Sequence, residues 1–285
     1  MRKLYFKPGR SKWFFGLLSL MLVMIITGFN YPGLKMNSEN FSSPAPAIVG
    51  NGNGDEQTEV VDPKAVDGLK TALEHLAGLK HFSVDIQSTF EDLLEPGHRV
   101  DFEIASHVVV SRPDKLKSER HGGSFNQIFY YNGEVLTLYN PSDMVYATEP
   151  VPGTIEEMLH FVRDEYGINV PVSDLLYSNA FSLLMYEVDF AQVIGNEMID
   201  DVPCTHLLFS RPGVDFQIWI ATEGLPLPVK YVVTDTEASE LLSFSAVMRN
   251  WNTDPELSDD LFTFSPTQEV NKIPFLKAEQ SSEPK

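Results

Sequence analysis

From Asp62 onward the chain changes rhythm. Val66, Leu69, Leu73 and Leu76 recur at spacings of three and four, one apolar stripe of a helix. Asp62 stands at its cap and Pro63 in its first turn, so the helix runs from Asp62 to near Leu79. The period then falls to two. Phe82, Val84, Ile86 and Phe90 share one face of a strand, opposed by Asp85, Gln87 and Glu91. After a turn at "EPGH", Val100, Phe102, Ile104, Val108 and Val110 repeat the pattern against Asp101, Glu103 and His107. Short strands follow near Lys115–Arg120 and Phe125–Tyr131. Asn132-Gly133 then gives a hairpin turn, leading into strands at Val135–Tyr139 and Met144–Thr148.

Helical signals interrupt this meander. Thr154 and Glu157 form a capping box ahead of Met158, Leu159 and Val162, and Gly167 ends that helix. "PVSDLLYSNAFSLLMY" reads as one or two further short helices. Strand patterns resume near Ala191–Ile199, Thr205–Ser210, Val214–Ala221, Leu227–Thr234 and Glu240–Trp251. Short connections favour antiparallel pairing, and helices grouped in one insert favour an α+β fold. A sheet of about eleven strands must twist and curl. With helices against its inner face it becomes a half-open barrel, an apolar trough under a lid drawn from Thr154–Tyr186. Phe82, Val84, Ile86, Phe90, Phe102, Ile104, Phe216 and Ile218 are the candidate trough residues. Alternation shows that one face is apolar, not that it is hollow; the same residues can fill a solid core.

The first twelve residues carry Arg2, Lys3, Lys7, Arg10 and Lys12 and no acid, and the run Trp13–Phe29 has no charge. A basic flank before an apolar run is the form of an export signal. Its length fits either a cleaved signal peptide or a short uncleaved anchor, and the basic flank stays inside. The organisation expected is therefore 1–29 signal or anchor, 30–61 flexible linker, 62–275 folded domain and 276–285 polar tail. The linker holds "SSPAPA" and "GNGNGD"; its glycines lack the Lys-Ser/Thr of a phosphate loop. The exported part lies in the periplasm or an equivalent extracytoplasmic space, with a membrane contact through the N-terminal segment if that segment is retained.

Composition narrows the function classes. Net charge is −19, and without the five N-terminal basic residues it is −24. Such a chain repels phosphate backbones, which sets nucleic acid aside as a partner. Cys204 is the lone cysteine, so neither an internal disulfide nor a thiolate metal cluster is available. The seven histidines form no HExxH or HxH. Glu157 and His160 make one Glu-x-x-His pair on a helix, where a di-iron bundle needs two such helical pairs. No G-x-S-x-G elbow occurs, and Asp200-Asp201 and Asp259-Asp260 sit beside turn formers. Nothing calls for a cofactor, a metal or a catalytic residue.

Six segments in this order carry a resemblance: "SRPDKLKSER", "FYYNGEVLTLYNPSDMVYA", "YGINVPVSDLL", "HLLFSRPGVDFQIWI", "GLPLPVKYVVT" and "WNTDPELSDDLFTFSP". Together they resemble an uncharacterised family of predicted periplasmic proteins, domain of unknown function 2092. That family is similar to periplasmic lipoprotein carriers and lipoprotein-localisation factors. The resemblance spans roughly Pro63 to Phe275. It implies an unclosed barrel of about eleven strands with helices as a lid over an apolar cavity, and it carries no catalytic residue. The function expected is an exported, non-enzymatic binding protein that shields a lipid, acyl chain or lipoprotein. The alternative is a membrane-anchored envelope sensor or regulatory protein with an envelope protein as partner.

Overall fold

The structure, a computed structural model, describes residues 61–94, 97–123, 125–166, 170, 172–237 and 241–275. The expected signal or anchor at 1–29, nearly all of the linker and the polar tail lie outside the described residues.

Helix α1 (Pro63–Gly78) begins as the sequence requires. Asp62 caps it by accepting the Lys64 amide at 2.9 Å, and Pro63 occupies the first turn. Ala65, Leu69, Ala72, Leu73 and Leu76 are buried, while Val66 is only partly covered. The buried stripe is thus rotated towards the small residues, which let the helix approach the sheet closely. At Gly68 an added β-carbon would stand 3.3 Å from Leu207 Cδ1.

The strands are β1 (His81–Leu94), β2 (His98–Ser111), β3 (Lys115–Gly122), β4 (Phe125–Tyr131), β5 (Val135–Asn140), β6 (Val145–Pro150), β7 (Phe190–Ile199), β8 (Val202–Arg211), β9 (Val214–Ala221), β10 (Pro228–Asp235), β11 (Ser243–Asn252) and β12 (Asn271–Lys272). They form one open sheet in the order β12-β6-β5-β4-β3-β2-β1-β11-β10-β9-β8-β7. Every pairing is antiparallel except β12 with β6. The architecture is the curled α+β half-barrel expected, with twelve strands because the two-residue β12 escapes any periodicity. Two meanders, β1–β6 and β7–β11, are joined where β1 pairs with β11, as at Ser88↔Ala246 and Phe90↔Phe244. An open sheet has two edges to protect. At one of them Val61 bridges Ala191, and the Asp62 amide donates to the Ala191 carbonyl at 2.8 Å.

The turns follow their residue chemistry. Asn132 Oδ1 accepts the amides of Glu134 and Val135, and Gly133 takes φ +88°, a value that costs glycine little. Asp200 and Asp201, both at positive φ, make the two-residue turn between β7 and β8.

Between the meanders stand α2 (Ile155–Tyr166), a 3₁₀ turn at Ser173–Leu176 and α3 (Ala180–Leu184). The capping box is formed: Thr154 Oγ1 accepts the Glu157 amide at 3.2 Å, and Glu157 Oε2 accepts the Thr154 amide at 2.7 Å. These bonds hold the Glu157 carboxyl below its ordinary pKa. A single apolar cluster joins α1, α2, the 3₁₀ turn and the inner faces of both meanders.

Candidate functional site: a roofed apolar cavity

The inner face is not covered evenly. Helix α1 lies against β7, β8 and β9 and fills that half with side chains. Phe209 stacks on Phe216 at 4.8 Å between ring centres, and Phe216 meets Tyr231 edge-on at 6.3 Å. Among the described residues, no long helix lies over β1, β2 and β3. There the sheet floor faces the C-terminal end of α1 and the chain around the 3₁₀ turn, and a cavity of about 50 Å³ remains. It lies within a concavity of about 700 Å³ that includes open solvent.

The floor is built by alternation. β1 contributes Phe82, Val84, Ile86, Ser88 and Phe90; β2 contributes Ile104, Ser106 and Val108; β3 contributes Leu116, Ser118 and Arg120; β11 contributes Met248 and Trp251. The roof is Leu76 of α1 with Val170, Val172, Leu175 and Leu176. Apart from Leu76 it comes from within Thr154–Tyr186, but from the irregular middle of that stretch rather than from α2 or α3.

Of the eight candidate residues, Phe82, Val84, Ile86, Phe90 and Ile104 line this cavity. Phe216 and Ile218 are fully buried in the packed half and are not part of this cavity's lining. Phe102 pairs directly with Phe90 but is 44% exposed, because the outer part of the β1–β2 hairpin runs beyond the roof. The lining residues that sequence reasoning missed are chiefly Arg120, Ser88, Ser118, Met248 and the roof. Arg120 did leave a signal: Leu116, Ser118 and Arg120 alternate in phase, so one inward residue implies the next.

The roof packs on α1 and α3 through buried Val172 and Leu175, and hydrogen bonds add to that packing. The phenol of Tyr231 on β10 donates to Asp174 Oδ2 at 2.9 Å. Arg112 Nη1 donates to the Leu176 carbonyl, and the Ser178 amide donates to Glu156 Oε1 at 2.6 Å. Burial raises the Asp174 carboxyl above its ordinary pKa, while the Tyr231 bond pulls the other way. On the floor, burial pushes the Arg120 guanidinium down to about 10.

His160 stacks on Tyr177 at 5.4 Å. Cys204 is fully buried, and burial pushes its thiol up. His206 stacks on Trp219 at 3.9 Å and bonds Glu197 and Gln217. Among the described residues no three metal-binding side chains cluster. Among the same residues no helix is long and apolar enough to cross a membrane.

No curated protein matches the sequence. Three similar solved structures are distant ones. The lipoprotein LppX of Mycobacterium tuberculosis is 18% identical, over 69% of this chain and 100% of that one, with a TM-score of 0.40. The LolA superfamily protein NE2245 of Nitrosomonas europaea is 12% identical, over 70% and 97%, with a TM-score of 0.33. The MucA/MucB complex of Pseudomonas aeruginosa gives 11%, over 71% and 61%, with a TM-score of 0.39. The sequence itself decides the family: residues 65–276 match "Predicted periplasmic protein (DUF2092)", and the chain belongs to that family.

Proposed function

We propose that this protein is an exported, non-enzymatic binding protein that takes the apolar part of a lipid, acyl chain or lipoprotein into the space beneath its roof. The observation that carries this reading is the uneven cover of the inner face: one half solid under α1, the other an apolar concavity under a short irregular segment held by hydrogen bonds. Small-molecule sites run to ~300–1,000 Å³. The cavity of about 50 Å³ is far below that range. The form described is therefore nearly closed, and loading requires the roof to lift. The driving force is transfer of apolar surface from water, worth ~25 cal/mol per Å² buried.

The test is solvent extraction of the purified full chain followed by mass spectrometry, with hexadecanol titration of the stripped protein. A Val84→Trp variant, which fills the floor, is expected to lose hexadecanol binding at least tenfold without losing its fold. Undiminished binding by that variant places the ligand elsewhere and removes the reading. The uncharged run Trp13–Phe29 favours a second reading, a membrane-anchored sensor that uses the same cavity. N-terminal sequencing of the exported protein separates them: loss of the run leaves a free carrier, retention an anchored receptor.

A further inference from the structure

The cavity floor carries one buried cation. Arg120 on β3 is 5% exposed and lines a cavity whose other lining residues are apolar or hydroxylic. Its Nη1 is buried without a hydrogen-bond partner, and among the described residues no salt bridge reaches it. The register surrounds it with polar groups. Ser106 on β2 pairs with Arg120 from one side and Gln127 on β4 from the other; Ser118 precedes it by two residues on the same face. Ser106 and Ser118 line the cavity too. Gln127 is buried, and its Oε1 likewise lacks a partner.

A buried guanidinium with a nitrogen left unpartnered and no ion pair is costly, and a hydrophobic side chain of similar length would fill the position at lower cost. Charged groups without partners are rare in interiors for that reason. The cost is offset when an anion enters. Guanidinium forks match the paired oxygens of carboxylates and phosphates, and such charge-assisted bonds strengthen once water is excluded. The protein as a whole is strongly acidic, so a general attraction for anions is absent and the attraction is confined to this one point.

We propose that Arg120 receives the anionic head, a carboxylate or phosphate, of an amphiphile whose apolar tail lies against the rest of the cavity lining. The ligand class is thus an acidic amphiphile rather than a neutral lipid. This rests on the binding reading above and narrows it. Ser106 and Ser118 supply hydroxyl donors beside the head, and the apolar residues of β1 and β2 take the tail.

The experiment is calorimetric titration of the purified, delipidated full chain with palmitate, hexadecanol and inorganic phosphate, repeated for Arg120→Gln and Arg120→Lys. Wild type is expected to bind palmitate at least about tenfold more tightly than hexadecanol, the size of one charge-assisted bond. Arg120→Gln loses that preference and keeps its affinity for hexadecanol; Arg120→Lys retains most of the preference. Inorganic phosphate alone does not bind measurably. Equal binding of palmitate and hexadecanol by wild type, or a preference that survives in Arg120→Gln, overturns the assignment of Arg120 and leaves the trough standing. Saturation by inorganic phosphate alone also overturns it, in favour of a free-anion site. If neither palmitate nor hexadecanol binds, the trough reading falls and takes this one with it. Should Arg120→Gln fail to fold, the palmitate-to-hexadecanol comparison in wild type still decides.

Discussion

Replacing Tyr231 by phenylalanine tests what holds the roof over the cavity. The phenol is buried at 1% exposure on β10, and its one hydrogen-bond acceptor named by geometry is Asp174 Oδ2, at 2.9 Å. Tyr231→Phe keeps the ring and its edge-on contact with Phe216, so core packing is conserved. What goes is a hydrogen bond to a carboxyl, worth about 2 kcal/mol when one partner is charged. If that bond acts on the roof alone, local opening becomes easier by about thirtyfold, at 1.4 kcal/mol per factor of ten. The reporters are the amides of Ser173 and Leu175, which donate to Val170 and Val172 within the roof. Hydrogen exchange by mass spectrometry is expected to show faster exchange at 173–178, with the strand pair β8–β9 unchanged. Roof exchange within threefold of wild type would refute the anchoring role. Uniform acceleration across roof and β8–β9 would instead make the bond a term in global stability.

Asp174 gives the same device a pH dependence. Burial raises its folded pKa, so its contribution to docking is fully present below the ordinary Asp value of about 4 and lost as pH rises through the raised value. Roof protection, corrected for intrinsic exchange, is expected to fall across that window in wild type and to stay level in Asp174→Asn. Leu69→Ala removes a fully buried side chain between α1 and the packed half of the sheet. It is expected to cost about 3 kcal/mol in urea unfolding, and a loss below 1 kcal/mol would mean that α1 is not a core element. Thr154→Ala removes the cap of α2 and is expected to cost about 1 kcal/mol; an unchanged urea midpoint would show the box to be idle.

Much of the fold was legible because period and turn chemistry are local. Asp62-Pro63, Thr154 with Glu157, and Asn132-Gly133 each fix a terminus or a turn within four residues. The site was legible in part. Periodicity assigns a residue to a face, and Phe216, Ile218 and Phe102 are all correctly on the inner one. It does not say what covers that face. Phe216 and Ile218 lie under α1, whereas Phe102 lies past the end of the roof, and both outcomes depend on contacts distant in sequence. Arg120 was missed for a different reason: its phase pointed inward, but a charged side chain is assigned to solvent by default. The roof was hidden because Val170–Leu176 has neither period.

The position of the cavity follows from lengths. Helix α1 has 16 residues, about 24 Å at ~1.5 Å per residue, enough to lie across three strands. The cover over β1–β3 is a four-residue 3₁₀ turn and its flanks, too short to interdigitate with a floor of comparable width. Side chains therefore close one half of the trough and leave the other with space that only the roof limits. The roof is also the part of the cover with few backbone bonds of its own, since a single 3₁₀ turn satisfies few amides. Its stability comes from the burial of Val172 and Leu175 and from hydrogen bonds to Tyr231, Arg112 and Glu156. These anchors lie on β10, in the turn after β2 and on α2. On the proposed reading, opening exposes Arg120 and the apolar floor together, and an acidic head and its tail enter by one motion. A variant that frees the roof without touching the floor should speed loading and release alike and leave the palmitate-to-hexadecanol preference unchanged. A preference that falls with the roof anchors would show that the roof itself reads the head group.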